Sequence, residues 1–376
     1  MNKREVSEIK KQFSPTNCNI TRICGCYVNG EKDIITTFKD AFLSLPEEAA
    51  FKYYEIFKKT MSGSVGKCLH DVEFPREAEK DGGAQAFLLK LRDSGLKDDE
   101  LLEAFYQRVI DKYCCVGNFL ILLIHGTYDI PGKAEDGQTM FDASDEVYNY
   151  ILCSICPMSL DKPGLAYNEK DQKIENRDRD WIVEMPAHGF LFPAFHDRSS
   201  DIHGSLYYTK KSRDMQDSFF AEMFGAVIPM PEDKQREKFA AVIEETFGED
   251  LDFQTAKAIN DNLMEHITEH EMSTEKYVLD KKAIRELLEE SGAADEQLEH
   301  FDEVFEDIME TKDTKKSTLM ADNLLNTAKL TVKADDVVVT TKQDSCAGIE
   351  TKIIDGKRCL VIELSGNCLV NGMLVK

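Results

Sequence analysis

Two periods of hydrophobic and polar positions divide this chain. Residues 2–13 place Val6, Ile9 and Phe13 on one side of a helix, which Ser14-Pro15 ends. Residues 21–28 are β-prone, Asn29-Gly30 suits a type I′ turn, and 34–38 return, which predicts a hairpin. Helices follow: one opens after Leu45-Pro46, and two more fill 76–93 and 98–113, divided by Ser94-Gly95. The middle then shifts to β-branched and aromatic runs at 119–128, 147–156, 181–195 and 202–208. The first of these is apolar on both faces, the mark of a central strand. The charged stretch 157–180 reads as a loop, either a flap or a linker.

From residue 213 the pattern is helical and acidic, with segments at 213–224, 231–247, 252–271, 280–291 and 294–310. A polar linker at 311–317 leads to β-prone residues 328–376, with tight turns at Asp355-Gly356 and Asn371-Gly372. Strands cluster rather than alternate with helices, so the predicted class is α+β: an N-terminal hairpin and helices, a central antiparallel-rich sheet, an acidic helical segment and a small C-terminal β unit. The expected domains are 1–210, 211–317 and 318–376.

Composition narrows the setting. The 376 residues are 42% hydrophobic, enough for ordinary cores, and carry a net charge of −24. Residues 1–70 hold 11 Lys/Arg against 8 Asp/Glu, whereas 231–310 hold 25 acids against 8 bases. An acidic body repels phosphate backbones and so disfavours bulk nucleic-acid binding, although Lys3, Arg4, Lys10 and Lys11 form a local basic cluster. Eleven scattered cysteines, an odd number, read as free thiols of a cytoplasmic protein. No export signal is recognisable, and no run approaches the ~18 apolar residues of a membrane span.

Several constellations carry chemistry, each beside a plainer reading. His266, Glu269 and His270 spell H-x-x-E-H, which on a helix sets two imidazoles one turn apart for zinc, with Glu290, Glu296 or Glu303 as a third ligand. The plainer reading is an acidic helix on which Glu between histidines is common. His188, His196 and His203, beside Asp197 and Asp201, would form a metal or acid–base cluster if 190–202 were a hairpin pairing His188 with His203. Pro186 and Pro193 point instead to an edge or broken strand. Cys153 and Cys156 are spaced as C-x-x-C, but in a strand they face opposite ways and read as packing residues. Cys18, Cys24 and Cys26 share strand parity with Arg22, which makes them the cluster for thiol reactivity or, more plainly, small core residues. Gly63 to Lys67 (GSVGK) lacks full phosphate-loop spacing, and no nucleotide, hydrolase-elbow or EF-hand signature occurs.

The opening block REVSEIKKQFSPTNCNITRICGCYVNGEK, the block LYYTKKSRDMQDSFFAEMFGAVIPMP and the close ETKIIDGKRCLVIEL with VNG resemble a bacterial family catalogued as a domain of unknown function. The resemblance runs the whole length, implies a bacterial cytosolic protein and brings no catalytic residues. Residues 205–225 also resemble a stretch of bacterial nucleoid-associated proteins. The leading expectation is a non-enzymatic binding or assembly protein without a cofactor, acting on a protein partner or on itself, with Phe239, Val242, Ile243 and Phe247 as an apolar helix face for core packing or self-association. A zinc-dependent hydrolase and a nucleoid-associated protein are the alternatives.

Overall fold

The computed structural model describes residues 1–133, 139–169, 171–176, 179–270, 277–309, 318–325, 329–334, 336–342, 349–363, 368–370 and 373–375. The expected linker 311–317 and the turn at Asn371-Gly372 lie outside them. The chain forms two compact units, Met1–Pro229 and Met230–Lys376, and its fold is α+β.

In the first unit the order is α1 (Lys3–Lys11), β1 (Ile20–Val28), β2 (Ile34–Ala41), α2 (Glu47–Thr60), β3 (Leu69–Glu73), α3 (Ala84–Asp93) and α4 (Asp99–Lys112). Then come β4 (Phe119–Lys133), β5 (Thr139–Leu160), β6 (Leu165–Asn168), β7 (Lys173–Asn176), β8 (Trp181–Val183) and β9 (His188–Phe192). The unit closes with β10 (Ala194–His196), β11 (Ser199–Asp201), β12 (Gly204–Thr209) and α5 (Asp217–Phe224). An antiparallel sheet runs β2-β1-β4-β5-β9-β12-β3, with β8 paired to β5.

Both faces of the sheet are covered. Cys24, Cys26, Ile121, Leu123, Cys153, Phe190 and Tyr207 pack beneath α3, α4 and α5. Ile23, Leu122, Ile124, Leu152, Cys156, Leu191 and Tyr208 pack beneath α1 and α2. This explains why 119–124 is apolar at every position, since successive side chains enter opposite cores. β9 and β12 are buried throughout for the same reason.

Several expectations are corrected. The first hairpin turns through a longer loop: Val28 pairs with Ile34, the Asn29 carboxamide accepts from the Glu31 and Asp33 N–H groups, and Lys32 takes the positive φ. The helix expected over 76–93 starts only at Ala84, after Gly82-Gly83. Residues 157–180 are not one loop, because β5 continues to Leu160 and β6 and β7 form an exposed hairpin. β3 carries no strand signal of its own, because LHDVE mixes apolar and charged positions. The boundary expected at 210/211 falls inside this unit, where Phe219, Phe220, Met223 and Phe224 of α5 join the first core.

The second unit packs α6 (Glu232–Phe247), α7 (Phe253–His270), α8 (Lys281–Glu290), α9 (Asp295–Met309) and α10 (Ala321–Leu324), with β13 (Val278–Leu279) paired to β14 (Leu319–Met320). The face of Phe239, Val242, Ile243 and Phe247 lies in that core with Leu263, Leu287 and Phe301. Three two-stranded hairpins follow: β15 (Lys329–Ala334) with β16 (Val337–Lys342), β17 (Ile349–Ile354) with β18 (Lys357–Ile362), and β19 (Cys368–Val370) with β20 (Met373–Val375). Asp355 and Gly356 both take positive φ, as a type I′ turn requires. Among the described residues no helix is long and apolar enough to cross a membrane.

Close packing in the sheet has a direct test. A Cβ on Gly189 would lie 2.4 Å from the Cys153 carbonyl oxygen, a backbone atom held in the β5–β9 ladder. Gly189→Ala is expected to lower unfolding free energy by about 1–3 kcal/mol, read as a shift in urea midpoint at unchanged slope.

Candidate functional site

Helix α1 has two working faces. Val6, Ile9 and Phe13 enter the core, while Arg4, Glu8, Lys11 and Gln12, at helical spacing, face a cleft. Asn2 caps the helix, accepting from the Arg4 and Glu5 N–H groups, and Glu5 returns a carboxylate oxygen to the Asn2 N–H at 2.7 Å. The other Glu5 oxygen accepts from the Asp197 N–H at 2.9 Å, tying the helix to the β10–β11 turn.

That turn is unusual. Asp197 and Arg198 both lie in the left-handed region, at φ 47° and 59°, without a glycine between them. The conformation aims Arg198 at α1. Its Nη2 donates to the Pro131 carbonyl at 3.1 Å and lies 3.2 Å from the Glu8 carboxylate. Its Nε is shielded from solvent and has no acceptor among the described residues. Tyr128 on β4 donates its hydroxyl to the same Glu8 oxygen at 2.9 Å. Burial, reinforced by this bond to Glu8, pushes the phenol up to about 12, so it remains protonated.

Arg4, Glu8, Lys11, Gln12, Asn17, Tyr128, Pro131 and Arg198 line an open surface cleft of about 340 Å³. Three cations face one carboxylate there. The side chains of Arg4 and Lys11 enter no ion pair or hydrogen bond among the described residues. Beyond the cleft, Lys10 stands beside Lys59 and Lys58 of α2, and burial together with these like charges lowers its pKa. The basic N-terminal cluster seen in the sequence therefore divides between this cleft and a lysine group beside it. The sequence gives no signal for Arg198, because its turn lacks the Gly or Asn that normally marks positive φ.

The family-model comparison matches residues 1–373 to a domain of unknown function, DUF4317. The chain belongs to this family. The comparison with curated proteins gave no match, and the nucleoid-associated likeness of residues 205–225 is not shown. In this family member that stretch is β12 and α5, and its aromatic side chains are core residues.

The three central histidines do not meet. Pro193 breaks the strand, β10 and β11 make their own short hairpin, and His188 pairs with Thr209 across β9–β12 instead of with His203. His188 is buried: the Asp214 carbonyl accepts from its Nε2 at 2.9 Å, which fixes the tautomer, and the Tyr113 hydroxyl donates to Nδ1 at 2.8 Å. His196 lies at the β10–β11 turn, 3.9 Å from both the Glu5 and Asp201 carboxylates. His203 is on the surface beside Glu79, which raises its pKa.

The H-x-x-E-H residues do lie on one helix, α7, but both His266 nitrogens and the His270 Nδ1 are already hydrogen-bonded. His266 meets the Tyr277 hydroxyl at 2.9 Å through Nδ1 and Glu290 at 2.8 Å through Nε2. His270 donates from Nδ1 to the His266 carbonyl at 2.8 Å and stacks on Tyr277, while Glu269, Glu296 and Glu303 are exposed. Among the described residues no group of three or more His, Cys, Asp or Glu is arranged to hold a metal ion.

Cys18, Cys24, Cys26, Cys68, Cys114, Cys115, Cys153, Cys156 and Cys359 are free thiols. A register shift near Ile20 separates Cys18, which packs with the α1–α2 core, from Cys24 and Cys26 in the opposite core. Burial pushes Cys24 and Cys26 up to about 11, overriding Arg22 at Cys24, so this is not the reactive cluster. Cys153 and Cys156 enter opposite cores and are raised further by burial. Gly63 to Lys67 forms the turn before β3 and does not open a helix as a phosphate loop would.

Two measurements follow. Brief alkylation of native protein should label exposed Cys114 first and leave Cys24, Cys26, Cys153 and Cys156 unlabelled until denaturant is added, read by peptide mass spectrometry. Burial lowers the His188 pKa below its ordinary 6.5, despite opposing contributions from Asp214. Its stabilising contribution is complete above that value and disappears as pH falls through the folded pKa. Urea midpoints of the wild type should therefore drop more steeply between about pH 7 and about pH 5 than those of His188→Gln, whose amide can serve both partners without titrating.

Proposed function

We propose that this protein is a cytoplasmic binding protein, without chemistry of its own, whose ligand site is the cleft between α1 and the β10–β11 turn. The observation that carries this reading is the surplus of cations there: Arg4, Lys11 and Arg198 against Glu8 alone. An anionic small molecule would complete the charge balance, and the cleft volume of about 340 Å³ is at the small end of ordinary ligand sites.

The free thiols of the first unit, Cys18 to Cys156, fit a reducing compartment. Self-assembly through the α6 apolar face is disfavoured, because that face is spent on the core of its own unit. A zinc hydrolase centred on α7 is not preferred, since His266 gives both nitrogens to Tyr277 and Glu290.

Isothermal titration with a panel of phosphate, sulfate, citrate and acetate tests the reading. At least one anion should bind, and Arg4→Ala/Lys11→Ala, which breaks no existing ion pair, should weaken it by about tenfold or more. No binding by any member of the panel, or equal binding by the variant, would sink it.

A further inference from the structure

We propose, resting on the reading of the cleft as the ligand site, that its ligand is a small phosphate monoester bound as the dianion, and that the organic part occupies the remaining volume. Charge counting is the first argument. Arg4, Lys11 and Arg198 less Glu8 leave a surplus of two positive charges among the lining groups, which a dianion cancels and a monocarboxylate only halves.

Geometry supplies the second argument. The cations approach from two walls, Arg4 and Lys11 from α1 and Arg198 from the turn. The two lie seven positions apart on α1, about 10 Å along the helix, a span their long side chains can close toward a shared centre. Three donors from different directions match the three terminal oxygens of a phosphoryl group better than the two coplanar oxygens of a carboxylate. Arg198 already spends Nη2 on Pro131 and Glu8, which anchors its guanidinium at the cleft wall opposite Arg4 and Lys11.

Room and surroundings supply the third. The cleft is several times larger than a phosphate ion, and Gln12, Asn17 and Tyr128 line it as neutral groups suited to a polar organic remainder. Lys10, Lys58 and Lys59 add positive potential nearby. The chain as a whole carries −24, which opposes a long polyanion such as nucleic acid far more than a single small ligand.

Glycerol 3-phosphate and glycerol 3-sulfate distinguish the possibilities, because the sulfate ester remains a monoanion while the phosphate ester is largely dianionic above its second pKa of about 6. At about pH 7.5 the phosphate ester should bind the full-length protein about tenfold tighter by titration calorimetry, and the preference should vanish near pH 5. The ratio between the two esters cancels titration of the protein itself. Arg4→Ala/Lys11→Ala should abolish the preference while leaving the urea midpoint unchanged.

Equal affinity for the two esters would overturn the dianion proposal and leave the anion site standing. Binding by neither would overturn the site as well. A short single-stranded oligonucleotide that binds more tightly than glycerol 3-phosphate would overturn the small-ligand assignment in favour of a nucleic acid.

Discussion

Burial of the central sheet on both faces is the constraint on which the first unit depends. Residues 119–124 of β4 and 150–156 of β5, with β9 and β12, have no wet side, so polar groups there find a partner inside or stay neutral, the Tyr207 hydroxyl, unpartnered among the described residues, being the exception. The structure answers in both ways. Ser154 meets the Thr60 hydroxyl at 2.6 Å, the Ser205 hydroxyl donates to the Leu191 carbonyl at 2.8 Å, and His188 is held between Tyr113 and Asp214. The cysteines stay as neutral thiols. Titratable residues that catch the eye in the sequence thus become packing elements wherever they fall within the sheet.

Charge is displaced to the sheet's margins, where α1 meets the β10–β11 turn. Here the structure spends conformational energy: two successive non-glycine residues are held at positive φ by Glu5, Glu8 and Pro131. A glycine turn would be easier to form but would bring no guanidinium to the helix. The cleft is therefore built from a cap residue, a helix stripe and a strained turn that serve one another.

Much of the fold is legible in the sequence where one local rule governs. The apolar stripe of α1, the two-sided apolar run of β4 and the Asp355-Gly356 turn all follow from periodicity or turn chemistry. Legibility fails where partners are distant or polar. β3 is half polar because it is an edge strand, and the 157–180 stretch hides a hairpin among charges. The candidate site is half legible: Arg4 and Lys11 stand out as a basic cluster, but Arg198 lies far along the chain on a turn with no glycine to announce it. The histidines misled because sequence proximity does not fix register. His188, His196 and His203 are close in the chain yet belong to a buried ladder, a hairpin turn and the surface.

One strand segment has a further consequence. Cys153 and Cys156 are neighbours on β5, but one is sealed by α3, α4 and α5 and the other by α1 and α2. A probe can reach either sulfur only when the layer above it lifts. Their separate rates of reaction with one thiol reagent under native conditions would thus time the breathing of each lid of the sandwich independently, with no residue changed.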